Sequence, residues 1–221
     1  MKSYDVCPQK LWTFEAPQKV LEEAKAYCEG PFHEDKTMSE LKKRDGGCDY
    51  NRSMSKSVEI HRLPDLELTT AWFHKCCNAV KEHYDWPTER LKITECWVNA
   101  ATDKGMKHIQ HRHFLTVVSG IFYVSESNSG TVFYDKDWFV YDNPMMGFKE
   151  SLGEWRGKIM PPVKTEFPNT PGTLIIFPSG IYHGVKPHKG DTPRYTISFN
   201  TFMDGKCGTS HGKGYVNLTV H

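Results

Sequence analysis

From residue 91 onward the chain is a succession of short runs rich in Val, Ile, Thr, Phe and Tyr, and this constrains the fold more than any other feature. The runs are Leu91–Ala100, Phe114–Ser125, Thr131–Tyr134, Trp138–Tyr141, Val163–Phe167, Thr173–Phe177, Tyr182–Lys186, Arg194–Met203 and Tyr215–Val220. β-Branched and aromatic residues fit the pleated, half-buried surface of a strand. Turn chemistry lies between them: Asn128-Ser129-Gly130, Asn143-Pro144, Pro161-Pro162, Pro171-Gly172, Pro178-Ser179-Gly180 and Gly190-Asp191. No helical spacing separates the runs, which excludes parallel βαβ units. A mainly β, antiparallel sandwich or squashed barrel is the architecture that remains.

The first 90 residues follow another period. Pro17 at a first helical position, then Val20, Leu21, Ala24, Tyr27 and Cys28, closed by Gly30, predict one helix. Residues 46–62 read as irregular, leading into a short strand, Ser57–Leu63. A second helix is expected after Asp65, which would cap it. Leu68, Trp72, Cys76, Ala79 and Val80 are its apolar face, and it stops before Pro87. His74 and His83 ride on that helix as solvated or packing residues. With no internal repeat, low-complexity tract or linker, residues 1–221 are expected to form a single domain. Its helical and irregular part, 1–90, packs outside a β core, 91–221.

Composition narrows the function classes. Lys and Arg total 28 against 27 Asp and Glu, a formal charge of +1, which argues against a general nucleic-acid binder. Lys42-Lys43-Arg44 reads as a solvated helix end. No run approaches 18 apolar residues, so no membrane partner is expected, and the N-terminus lacks the apolar core of a secretory signal. The seven cysteines form no CxxC pair. They read as free thiols in a reducing cytosol, which gives a cytoplasmic expectation.

Eleven histidines raise the question of metal. His111 and His113 are two apart, so on a strand both rings face one side and can reach one ion. His108 would face the opposite side. A pair of this kind also arises as structural residues on a barrel wall. A second element, Pro171-Gly-Thr-Leu-Ile-Ile-Phe-Pro-Ser-Gly-Ile-Tyr-His183, adds a histidine after a tight turn. Eleven residues on, Arg194, Thr196 and Ser198 share one strand face. Imidazoles bind a transition metal, and a guanidinium with hydroxyls can grip a carboxylate.

HxH-x5-SGIFYV, PGTLIIFPSGIYHGV and RYTISFN together resemble the double-stranded β-helix oxygenases that use Fe(II) and 2-oxoglutarate, in the prolyl-hydroxylase-like branch with its bacterial and phage relatives. The resemblance spans roughly residues 91–203. It implies a jelly-roll, cupin-like core and a dioxygenase that hydroxylates a peptidyl or small-molecule substrate with O2, releasing succinate and CO2. It places His111 and His183 as iron ligands and Arg194 on the 2-oxoglutarate C5 carboxylate, with Thr196 and Tyr123 beside it. Ser198 and Asn99 join this cofactor-binding set, and Trp97 either lines the pocket or packs in the core.

The departure is His113, which stands where the family carries a carboxylate ligand. Either His113 is the third metal ligand, or a carboxylate such as Asp135 enters from elsewhere, or the third position is open. Two other functions fit the same residues: a three-histidine cupin-type dioxygenase that ignores 2-oxoglutarate, and a non-catalytic jelly-roll binding or structural module. Substrate choice is expected to lie in Trp138–Pro162 and Asp35–Met54.

Overall fold

A computed structural model describes residues 10–30, 53–54, 57–134, 164–208 and 214–220. In chain order the elements are β1 (Trp12–Glu15), α1 (Gln18–Glu29), β2 (Ser53–Met54), two 3-10 turns (Ile60–Arg62 and Pro64–Leu66), α2 (Glu67–His83), β3 (Thr88–Ala101), β4 (His108–His111), β5 (Val118–Tyr123), β6 (Ser127–Tyr134), β7 (Lys164–Asn169), β8 (Thr173–Pro178), β9 (His183–Val185), β10 (Arg194–Gly208) and β11 (Tyr215–Leu218). Among the described residues the strands form two sheets. The larger runs β1-β8-β5-β10-β3-β2, with β11 also on β10, and the smaller runs β4-β9-β6-β7. All the paired strands are antiparallel. This is the mainly β, jelly-roll architecture with helices outside it. The expected strand Trp138–Tyr141 lies outside the described residues.

The two faces of the larger sheet differ. Its outer face carries Val98, Phe122, Leu174, Ile176, Ile197 and Phe199, which bury against Val20, Ala24 and Cys28 of α1 and Phe73, Cys76, Cys77 and Val80 of α2. Phe73 meets Phe122 and Phe199 with ring centroids 5.5 and 4.8 Å apart. Each such buried apolar side chain contributes about 1.5–3 kcal/mol. Between the sheets a smaller cluster holds Ile121, Tyr123, Phe133, Ile175, Phe177 and Ile181. Gly120 is required here: a Cβ on it would come within 2.2 Å of the Phe199 ring. Four thiols, Cys28, Cys76, Cys77 and Cys96, are free and buried in the helix–sheet layer. Burial pushes Cys28 and Cys76 up to about 12 and raises Cys77 and Cys96 as well.

Several local expectations need correction. The first 90 residues contribute strands as well as helices, because β1 extends the larger sheet by pairing Trp12–Glu15 with Thr173–Ile176. Ser57–Leu63 is not a strand: Glu59 makes one bridge to Cys96 and the chain then coils into the 3-10 turn 60–62. On the expected apolar face of α2, Cys76 and Val80 are buried and Trp72 packs against the core, but Leu68 is 51% exposed and Thr69 and Phe73 are buried instead. Asp65 does not cap α2. The Glu23 carboxylate of α1 does so from outside, accepting the Leu68 and Thr69 amides at 3.1 and 2.7 Å and the Thr69 hydroxyl at 2.6 Å. The expected strand Phe114–Ser125 begins only at Val118, since Leu115 adopts a left-handed φ of 56° that no strand can continue through.

Candidate active site

The strands that build the candidate site meet between the two sheets. β4 and β9 pair His111 directly with His183. His113 lies beyond the end of β4, in a loop whose His113 amide donates to the Ser179 carbonyl at 3.0 Å. Strand alternation therefore does not align the two histidines; this loop tie does. The ligand atoms of His111, His113 and His183 all lie within 4.8 Å of one another, and the His111 and His183 ring centroids are 4.3 Å apart. His183 is buried, and its Nδ1 lies 3.0 Å from the Ile181 carbonyl. Protonated there, Nδ1 donates to the carbonyl and Nε2 keeps its lone pair for the other side of the ring. Burial, then His111, lowers the His183 pKa well below the ordinary histidine value, so the ring is neutral near pH 7.

One cavity, partly open to solvent, is lined by all eight residues expected from the sequence: Asn99, His111, His113, Tyr123, His183, Arg194, Thr196 and Ser198. Arg194, Thr196 and Ser198 point inward from alternate positions of β10. Thr196 sits between Asn99 of β3 and Tyr123 of β5 on the same rung of the sheet. Trp97, which also lines the cavity, donates through Nε1 to Asn99 Oδ1 at 3.1 Å, and Asn99 Nδ2 donates to Ser198 Oγ at 3.0 Å. Tyr123 donates through its hydroxyl to Thr131 Oγ1 at 2.7 Å. Burial pushes its phenol up to about 12, which keeps it neutral.

Arg194 is 4% exposed, and its Nη1 donates to the Lys186 carbonyl at 3.3 Å. Burial pulls its pKa down to about 10 against the opposing effect of Tyr123, so it remains a cation at neutral pH. Among the described residues no carboxylate pairs with it and none lines the cavity. A buried charge without a counter-charge is costly. The cavity thus offers three converging imidazoles at one place, that of His183 neutral, and an unbalanced guanidinium at another. That donor set suits a divalent transition metal together with an anion.

Sequence reasoning missed part of the lining. His108 faces the cavity, not the opposite side, because the β4–β9 register slips between His108 and His111. A bulge inverts the alternation that a regular strand predicts. Ser119, Ser129, Thr131 and Asn169 also line it. Ser119 belongs to a buried hydroxyl–amide chain, sharing a hydrogen bond with Ser179 at 2.9 Å and donating to Asn200 Oδ1 at 2.8 Å. The only available signal was the inward parity of their strands. Asp135 and the two expected substrate segments lie outside the described residues, apart from the short β2.

Residues 95–200, from within β3 to within β10, match the family described as putative 2OG-Fe(II) oxygenase. Over this core the chain is similar to the 2OG-Fe(II) oxygenases. The matched segment contains every one of the eight expected site residues. No curated protein sequence matches the chain. Solved structures similar to this chain include a Pseudomonas putida prolyl-4-hydroxylase, 13% identical over 89% of this chain and 94% of that one, with a TM-score of 0.54. HygX from Streptomyces hygroscopicus, solved with nickel, 2-oxoglutarate and hygromycin B, is 10% identical over 96% and 93%, with a TM-score of 0.60. A prolyl hydroxylase from Trichoplax adhaerens, solved with a peptide fragment of hypoxia inducible factor, is 14% identical over 87% and 83%, with a TM-score of 0.53. These similarities show a shared fold. Among the described residues no helix is long and apolar enough to cross a membrane.

Proposed function

We propose that His111, His113 and His183 hold Fe(II) and that Arg194 holds the distal carboxylate of 2-oxoglutarate. The observation that carries this is the buried Arg194, which lacks a carboxylate partner among the described residues and shares one cavity with three converging imidazoles. Thr196 and Tyr123 flank the guanidinium as hydroxyl-bearing neighbours. Asn99 and Ser198, tied to each other and to Trp97, line the wall of the cosubstrate's path. The bound iron and cosubstrate supply oxidative decarboxylation to succinate and CO2, with one oxygen atom of O2 delivered to a substrate C–H bond as a hydroxyl.

The chain's own part is positional and electrostatic. His183 presents Nε2 because its other nitrogen is tied to the Ile181 carbonyl. A ligand set of imidazoles without a carboxylate would leave the metal's charge unreduced, and a dianionic cosubstrate held by Arg194 would offset it. That role replaces the carboxylate ligand whose position His113 occupies. Phe114 and Leu115, 73% and 92% exposed, directly follow His113 and give the neighbourhood of the histidines an apolar surface for a peptidyl or small-molecule substrate. The buried thiols agree with a reducing, cytoplasmic setting.

Purified protein supplied with Fe(II) and 2-oxoglutarate is expected to release succinate and CO2. An absence of turnover, together with no 2-oxoglutarate binding to the metal-loaded protein, overturns the proposal. An all-histidine dioxygenase that ignores 2-oxoglutarate also suits the donor set. It gives the buried Arg194 no task, however, and Arg194→Met separates the two readings by weakening 2-oxoglutarate binding and turnover in the first alone.

A further inference from the structure

One polar side chain in the cavity has no partner that explains it. Asn169, at the end of β7, is 4% exposed, and neither its Oδ1 nor its Nδ2 has a hydrogen-bond partner among the described residues. It lines the same cavity as Arg194 and the three histidines. A buried amide left unpaired is costly, and such groups are normally satisfied by protein, water or ligand.

The strand registers place it along the cavity. β6 pairs Phe133 with His183 at one end and Ser127 with Asn169 at the other, so Asn169 sits at the end of β6 away from the metal-binding histidines. At that same end the Ser129 hydroxyl donates to the Pro187 carbonyl at 2.7 Å, and the Lys186 amide donates to the Gly130 carbonyl at 3.2 Å. Lys186 is also the residue whose carbonyl accepts from Arg194. Asn169 and Arg194 therefore belong to one end of the cavity, the histidines to the other. Phe167, two residues earlier on β7, packs inward against the inter-sheet core, and the strand's period of two turns Asn169 the same way.

We propose that Asn169 is a second holder of the cosubstrate's distal carboxylate, its Nδ2 donating to the oxygen that Arg194 does not fully satisfy. The inference rests on the 2-oxoglutarate reading above. It assigns to Asn169 selection for 2-oxo acids that carry a far carboxylate. A charged group recognised by a cation and a neutral donor is held in direction as well as in position.

The test compares wild type, Asn169→Leu, Asn169→Asp and Arg194→Met, each loaded with Mn(II), by calorimetric titration with 2-oxoglutarate and with 2-oxobutyrate, which lacks the distal carboxylate. Loss of a hydrogen bond to a charged group predicts a Kd for 2-oxoglutarate on the order of tenfold higher in Asn169→Leu. The 2-oxobutyrate affinity should stay unchanged. Asn169→Asp should lose more, because its carboxylate repels the ligand and offers Arg194 an internal counter-ion. In turnover, KM for 2-oxoglutarate should rise while kcat at saturation holds. The metal-free melting temperature of Asn169→Leu should equal or exceed that of wild type, since an orphaned amide has been removed. Wild-type affinity in both Asn169 variants, with Arg194→Met impaired, overturns the assignment and leaves the 2-oxoglutarate reading standing. A lowered melting temperature with equal losses for both acids overturns it in favour of a structural role. Failure of wild type to bind 2-oxoglutarate overturns both.

Discussion

β3, β5 and β10 are each asked to do two things, and adjacent rungs of the same sheet show the contrast. On one rung Ile197 lies between Val98 and Phe122; on the next, Thr196 lies between Asn99 and Tyr123. The first rung faces the helices and is wholly apolar. The second faces the cavity and carries an amide and two hydroxyls, with the Arg194 guanidinium two residues away. All six side chains are buried. Burial alone therefore does not mark the core of this protein. The outer face lowers the free energy of the fold, whereas the inner face holds polar groups whose desolvation is offset by one another and by what binds there.

Substitutions on the two faces should separate stability from chemistry. The largest effect is expected from His183→Ala: loss of Fe(II) binding and of at least about 1,000-fold in activity, with the metal-free melting temperature little changed. Elemental analysis and succinate release check it. Phe122→Ala should cost about 3–5 kcal/mol of unfolding free energy, measured by urea titration, while the folded fraction keeps its KM for 2-oxoglutarate. Arg194→Met should raise that KM on the order of 100-fold, equivalent to about 2.7 kcal/mol, and leave metal content at the wild-type level. The smallest effect is expected at Glu23→Ala. Stripping the carboxylate from the start of α2 should lower stability by about 1–2 kcal/mol without touching cosubstrate binding. A Glu23 variant that altered KM, or an Arg194 variant that only destabilised, would break the division between the faces.

What the sequence made legible follows from the range of each rule. Arg194, Thr196 and Ser198 were readable because a strand's period of two acts within five residues. His183 was readable because a Pro-Ser-Gly turn announces where its strand begins. His108 was assigned to the wrong side, since the bulge before His111 depends on pairing with β9, which is distant in sequence. At the start of α2 the sequence could not choose Phe73 over Leu68, because both are apolar and the rings of Phe122 and Phe199 that select Phe73 are distant in sequence. Glu23 as a cap lies 45 residues from the amide it serves, beyond any local motif. Asn169 belongs to no pattern, and its meaning comes only from the cavity it faces.

The thiols sealed between the helices and the larger sheet carry one more consequence. Cys28, Cys76, Cys77 and Cys96 come from α1, α2 and β3, and all four are protonated and shielded from reagent. A maleimide or disulfide reagent can reach them only when the helical layer lifts from the strands beneath. Their labelling rates are therefore a native clock for that opening, and mass spectrometry of the tagged peptides tells which helix leaves first.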